Sequence, residues 1–388
     1  GLRAATRTRV AAYWGAWADC LHFVRSRFPI LSAQVHQHLH AGATLIDSLF
    51  QLRACHATLL SEGAVLPSWD ELFNGVRPEP IPEEDQEPGS FGKGWQRVAS
   101  AARAETAVVE FLRDASPSHS ALVRSQSGRG AGDWLVTIPT SKPFVLEPLM
   151  FLTCLRRRLL LPVPLDNMHC RSCSFQLDPF GHHAVACTRT GMIKRRALLP
   201  ELAWVQICSE ARGAVKHRPL LRSLAIPAVP PDDGRELDLV VGRLPVYGGK
   251  TIIGDVTLRS PLSGEGAPRF NAHREAGATF HNARLDKASA YPELMRPSSN
   301  FKFLVLACEL GGHLSEECHS LMRQLATHRA SMLPQHLRPF AVNMQKRRWY
   351  GLLSCAIQRA VAWNIVGAGD VFFEPLHPAP DFEELCAG

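Results

Sequence analysis

The sequence predicts a mixed α+β or α/β chain, in which a helical N-terminal region leads through a small cysteine–histidine cluster into a mixed sheet flanked by helices. Three observations carry this expectation. Apolar residues recur at helical spacing over 8–62. Cys170, Cys173, His182, His183 and Cys187 crowd into eighteen residues. From about 236 onward, short apolar strands alternate with helical stretches. With 388 residues, 46% of them hydrophobic, the chain can bury one large core or two ordinary ones, and two or three domains are expected.

The N-terminal elements follow from spacing. Ala11, Trp14, Trp17, Leu21 and Val24, and again Leu45, Leu49, Leu52 and Leu59, fall three and four apart, so 1–75 reads as packed helices. His36 and His40 stand one helical turn apart, a spacing that can clamp a metal, but no third ligand of suitable type follows at useful spacing. Residues 76–94 combine four prolines with five acidic residues, which excludes helix and buried strand and predicts an exposed linker or loop. A helix over Trp95 to Asp114 opens a connector region over 95–165. There SQSGRGAGDWL at 125–135 predicts a tight glycine turn entering a strand at Trp134 to Ile138; lacking a Lys-Ser/Thr ending, it is structural rather than a phosphate loop.

Beyond 191, strands are predicted over Glu236 to Val241, Thr251 to Leu258 and Phe301 to Glu309. Helices are predicted around 270–291, 313–331 and 343–364, within a domain running to about 370 and a tail over 371–388. No apolar run is long enough to span a bilayer, and Gly1 to Val10 carries arginines rather than a secretory signal, so neither a membrane span nor secretion is expected. The chain starts without Met, which fits a C-terminal piece of a longer polypeptide. Most of the eleven cysteines, among them Cys20, Cys55, Cys154, Cys208 and Cys308, stand alone in apolar surroundings. They read as free buried thiols of a reducing, intracellular compartment.

The net charge of +7 is modest, but its distribution is not: residues 151–230 hold twelve Arg and Lys against four Asp and Glu. Such a positive stretch suits phosphate neutralisation. Arg156, Arg157, Arg158, Lys194, Arg195 and Arg196 are the candidate nucleic-acid contacts, with a solvated helix face as the alternative.

Within that stretch, Cys170 and Cys173 at C-x2-C spacing can grip one side of a tetrahedral zinc ion, and a turn through Pro179 and Gly181 can bring a histidine and Cys187 to the other. The spacing admits either His182 or His183 as the fourth ligand. Four ligands close the site, so the zinc over 166–190 is structural.

The strands GRELDLVV and GKTIIGDVTLRSPL each deliver one aspartate near an end, Asp238 and Asp255. Two carboxylates held together call for a cation, and Mg²⁺ is the natural one, able to polarise a phosphodiester and activate water. The lysine that usually follows the second acid by two residues is replaced by Thr257. Lys287 and Tyr291, one turn apart on the next helix, can stand in for it. Glu201 and Glu210 are candidates for a third acidic ligand. The alternative is that these aspartates merely end strands and Lys287 is a solvated helix residue.

Taken together, SQSGRGAGDWL, LRRRLLLPVP, CRSCSFQLDPFGHHAVAC, LDLVV, GDVTLRSPL, the lysine-tyrosine helix and FLVLACELGG resemble, over roughly 120–365, the C-terminal region of site-specific non-LTR retrotransposon polyproteins. In these, a Cys-Cys-His-Cys zinc knuckle precedes a restriction-like endonuclease of the PD-(D/E)XK class. The resemblance implies His183 as the zinc ligand, and Asp238, Asp255 and the migrated Lys287, with Tyr291 beside it, as a Mg²⁺-dependent site that nicks target DNA. It further implies DNA and element RNA as partners, a reverse transcriptase upstream in the polyprotein, and nuclear localisation. Two positions depart from the pattern: Leu237 replaces the usual proline before the first acid, and Lys194 to Arg196 stand where an Arg-His pair is common. A decayed, catalytically inactive, zinc-stabilised nucleic-acid-binding module is the alternative reading. No polymerase motif is present.

Overall fold

The computed structural model describes residues 5–41, 44–79, 94–165, 169–170, 173–189, 192–224, 226, 229–296 and 300–366. The linker expected over 76–94 lies mostly outside the described residues, as do the tail over 371–388 and the side chains of Lys194 and Arg195. The chain separates into two compact units, Gly1–Ala115 and Ser116–Gly388. The helix over Trp95 to Asp114 therefore belongs with the N-terminal helices rather than with a connector.

The first unit is helical: α1 (Ala5–Arg27), α2 (Pro29–His40), α3 (Asp47–Ser61), α4 (Trp69–Phe73) and α5 (Trp95–Asp114). Pro29 opens α2 at a position that needs no amide donor, breaking what spacing alone reads as a longer helix. Trp14, Leu21, Leu52, Leu59, Leu72 and Trp95 form the core, whereas Leu45 precedes α3 and is fully exposed.

The second unit begins with α6 (Pro117–Ser125), α7 (Pro148–Arg158), the single-turn α8 (His182–Ala186) and α9 (Met192–Glu210). The sheet follows, as β1 (Ala214–His217), β2 (Leu239–Gly242) and β3 (Thr251–Arg259). Next come α10 (Ala278–Ala290), β4 (Phe301–Glu309), α11 (Glu316–Ser331) and α12 (Arg338–Val366). The strands lie in the order β1-β2-β3-β4; β2 runs antiparallel to both β1 and β3, and β4 runs parallel to β3 after the α10 crossover. The class is mixed α+β, one of the two the sequence leaves open; the alternation of strands and helices favours α/β, but two of the three strand pairings are antiparallel. β3 is buried along most of its length, with Ile252, Ile253, Val256 and Leu258 in the interior and Asp255 buried among them. Trp204 of α9, Leu239 and Val241 of β2, Leu304 and Leu306 of β4 and Trp349 of α12 meet in the main core.

Two local expectations fail. No strand forms at Trp134 to Ile138. Gly128 and Gly130 take left-handed φ of 88° and 81°, Asp133–Leu135 is a 3₁₀ turn, and the Thr137 amide donates back to Asp133 rather than to a neighbouring strand. Strand β1, which carries Lys216 and His217 on a largely exposed edge, has too few apolar residues to be read from its sequence. Cys20 is exposed, against the expectation of burial. Among the described residues, no helix is long and apolar enough to cross a membrane.

Candidate functional site

Two constellations stand out in the second unit, and the sheet connects them. The first is the cysteine–histidine cluster. The chain turns at Ser174 (φ +57°), where the Ser174 amide donates to the Cys170 carbonyl and the Cys170 amide to that of Phe175, so that Cys170 and Cys173 face the same way. The Cys170 and Cys187 sulfurs lie 3.9 Å apart, those of Cys187 and Cys173 lie 3.8 Å apart, and Cys173 Sγ is 3.0 Å from His183 Nε2. All four donor atoms fall within 4.8 Å of one another, a ligand set for a metal such as zinc.

The geometry also separates the two histidines. His183 Nδ1 lies 3.1 Å from the Gly264 carbonyl, which can only accept. Nδ1 therefore carries the proton, and the lone pair of Nε2 points at the thiols. His182 instead stacks on Phe180 with centroids 5.6 Å apart, and burial together with the nearby Arg157 lowers its pKa to about 4. Asp178, which spacing did not single out, accepts from the amides of Phe180, His182 and His183 and so fixes the start of α8. Without a cation, burial pushes the Cys187 thiol up to about 11; a dication reverses that balance by favouring thiolate.

The arginines proposed for nucleic acid fare differently. Arg157 is 6% exposed and donates to the Phe180 carbonyl at 2.8 Å, tying α7 to the cluster. Arg196 is 5% exposed and donates to the carbonyls of Val185 and Leu258, tying the cluster to the end of β3. Both are internal struts, and neither guanidinium is free to meet a phosphate. Arg156 bonds the Pro162 carbonyl, and Arg158 is half-buried, with burial lowering its pKa.

The second constellation lies on the sheet. The register pairs Leu239 with Gly254 and, one residue further, sets Asp238 opposite Asp255; on the other side of Asp238 the Arg218 amide donates to its carbonyl. Side chains opposite each other in a ladder stand roughly 5 Å apart on the same face, and like charges there repel. Asp238 Oδ2 accepts from the Val256 amide at 2.6 Å. Asp255 is 1% exposed, and its Oδ1 meets the Lys287 ammonium of α10 at 2.6 Å as a close ion pair. Burial, with Glu201 next, raises the Asp238 pKa to about 6. Burial, with Asp238 next, raises that of Asp255 to about 6. Glu201 projects from α9 to the same place, is held by the Arg218 guanidinium at 2.9 Å, and has its pKa raised by burial.

Asp238, Asp255 and Lys287 are thus brought together as the sequence proposed. Of the two glutamates, only Glu201 joins them. Glu210 is engaged by Arg348 at 2.9 Å and by the Trp349 indole at 2.7 Å, a packing role. Tyr291 closes α10 but directs its hydroxyl to the Glu236 carbonyl at 2.8 Å, and burial raises its pKa to about 12. It fastens the helix end to the approach of β2 rather than offering a proton. Arg218 escaped the sequence reading because its position depends on β1, whose pattern is faint.

No protein-family model and no curated protein matches the chain. What the two constellations do must therefore be read from their chemistry. The sulfur-rich cluster suits a borderline-soft ion held structurally. The all-oxygen pair beside a lysine suits a hard dication and a charge-developing reaction.

Proposed function

We propose that this chain is a metal-dependent DNA endonuclease module, with a structural zinc knuckle, of the kind found in non-LTR retrotransposon polyproteins. The observation that carries the reading is the pair Asp238 and Asp255, opposed on adjacent strands and raised toward protonation, with the Lys287 ammonium against one of them. Buried like charges are costly unless a cation sits between them, and the donors are hard oxygens, so the residues fit Mg²⁺. The succession α9–β1–β2–β3–α10–β4, with an antiparallel meander followed by a crossover to a parallel strand, is compatible with a restriction-like PD-(D/E)XK core. The resemblance in sequence supplies the substrate class, DNA.

In this reading Asp238 and Asp255 would hold the ion, whose chemistry there would be to polarise a phosphodiester and activate water. Glu201 adds negative potential from α9 while Arg218 keeps it in place. Lys287, which lies 2.6 Å from Asp255 Oδ1, would stand beside the ion to orient a water and to offset charge that develops on the phosphate. Cys170, Cys173, His183 and Cys187 hold zinc, and Arg157 and Arg196 brace the knuckle against α7 and β3. Duplex positioning falls to basic groups outside these struts, mostly through phosphates. Nuclear action on DNA, with element RNA and an upstream reverse transcriptase as further partners, belongs to the same proposal.

A second reading has one observation in its favour. Lys287 already neutralises Asp255, so a zinc-stabilised binding module needs no Mg²⁺. Supercoiled plasmid incubated with the purified chain and Mg²⁺ separates the two. Nicking that is abolished in Asp255→Ala and reduced at least tenfold in Lys287→Ala is expected. Salt-sensitive DNA binding without nicking by the intact chain would overturn the endonuclease in favour of the binder.

A further inference from the structure

The first unit holds a cluster that the sequence could not assemble. His36 and His40 lie one turn apart on α2, and Asp70, at the start of α4, comes to them from 34 residues beyond His36. Asp70 Oδ1 is 2.6 Å from His36 Nε2 and 3.6 Å from His40 Nε2, and the three donor atoms fall within 4.8 Å of one another. Nothing in the capping of α4 requires this carboxylate. Ser68 and Glu71 form the complete capping box, in which the Glu71 amide donates to Ser68 Oγ and the Ser68 amide to Glu71. Asp70 is therefore free to face α2.

The imidazoles are set by their neighbours. The His36 ring meets Phe73 edge-on at 5.0 Å, and the two histidine rings stand 4.4 Å apart. The cluster borders a hollow of about 490 Å³, with Ser32 and Ala33 on one wall and Arg25 and Asn74, hydrogen-bonded to each other, on another.

We propose that His36, His40 and Asp70 form a second metal site, for a late first-row divalent cation of the zinc class. Two imidazoles at i and i+4 present parallel donors on one helix face, and a carboxylate from another element supplies the third. Imidazole with one carboxylate favours zinc, cobalt or nickel over the hard Mg²⁺. Three protein ligands leave one coordination position open toward the hollow, so the ion binds more weakly than in the closed Cys170–Cys187 cluster and exchanges. A bare exposed His–Asp ion pair makes a different prediction, because it contributes little stability and captures no ion.

The intact chain is held at equilibrium dialysis against a fixed Zn²⁺ concentration in excess Mg²⁺, which competes for hard-oxygen donors such as Asp238 and Asp255, and bound zinc per chain is measured at that free concentration. His40→Ala and Asp70→Asn each remove one equivalent, and Cys173→Ser removes a different one, so that His40→Ala with Cys173→Ser removes both. Co²⁺ bound to the Cys173→Ser chain shows visible ligand-field bands without thiolate charge transfer, and His40→Ala abolishes them. Both histidines are close to half exposed, so the metal-free variants keep the wild-type circular dichroism and melting temperature. Zinc content unchanged by both His40→Ala and Asp70→Asn overturns the site.

Discussion

Asp238 and Asp255 show how one register decides local chemistry. A slip of one residue between β2 and β3 would put the two carboxylates on opposite faces of the sheet. In place, Asp238 is pushed up to about 6 by burial and then by the field of Glu201, and Asp255 to about 6 by burial and then by the field of Asp238. A carboxylate whose folded pKa lies above its unfolded value contributes most below the unfolded pKa, and that contribution is lost as pH rises through the folded one. For this pair the window runs from the ordinary aspartate value of 3.8 to about 6. Lys287 opposes the trend but does not cancel it. The metal-free chain is therefore expected to lose thermal stability across that window, and Asp255→Asn to flatten the loss and melt higher at neutral pH. Added Mg²⁺ raises the melting temperature of the parent more above pH 6 than below it. A melting-temperature profile of Asp255→Asn parallel to that of the parent would show that the two carboxylates do not strain each other.

At the scale of elements, the cysteine–histidine segment has, among the described residues, a small buried core of its own, Cys170, Leu177 and Cys187, so a metal held by the four donors would supply much of its organising energy. Chelation, or Cys173→Ser, is expected to expose the amides of 173–189 to hydrogen exchange at least a hundredfold faster while β3 and α12 stay protected. Uniform loss of protection across the second unit would mean instead that the segment is integral to the main core. Elements that carry their own pattern were legible: Trp95–Asp114 and Phe301–Glu309 match the sequence reading at both ends, and Thr251–Arg259 extends it by one residue. The strand expected from Glu236 begins only at Leu239, because the Leu237 amide is taken by the Pro219 carbonyl before the ladder starts. What stayed hidden depends on long-range contact. Asp70 reaches His36 only through the packing of α4 beside α2, and Arg157 and Arg196 read as surface charge because no local pattern reveals that their partners are backbone carbonyls. Spacing alone left His182 and His183 open, and only the resemblance pointed to His183, because the Gly264 carbonyl that orients its ring lies eighty-one residues away.

At the scale of the molecule, the two units have separate cores, one around Trp14, Leu52 and Trp95 and the other around Trp204, Leu239 and Trp349. Trp14 is fully buried, its ring lying 6.0 Å from Trp95 in an edge-on contact and 6.2 Å from His56 in a stacked one. Trp14→Ala leaves a cavity that α1, α3 and α5 cannot close by side-chain shifts alone, at a cost of about 3–5 kcal/mol. If each core supports its own cooperative transition, that loss falls on Gly1–Ala115, while Mg²⁺ and zinc act by mass action on Ser116–Gly388, save for any ion held at His36. Unfolding of the Cys173→Ser and Trp14→Ala chains, followed by hydrogen exchange with peptide resolution, should then show additive effects, each confined to one unit. In the double variant, a deviation from additivity above about 0.5 kcal/mol would mean that the cores are energetically coupled. In that case a metal bound in the helical unit would also shift the stability of the sheet that carries Asp238 and Asp255.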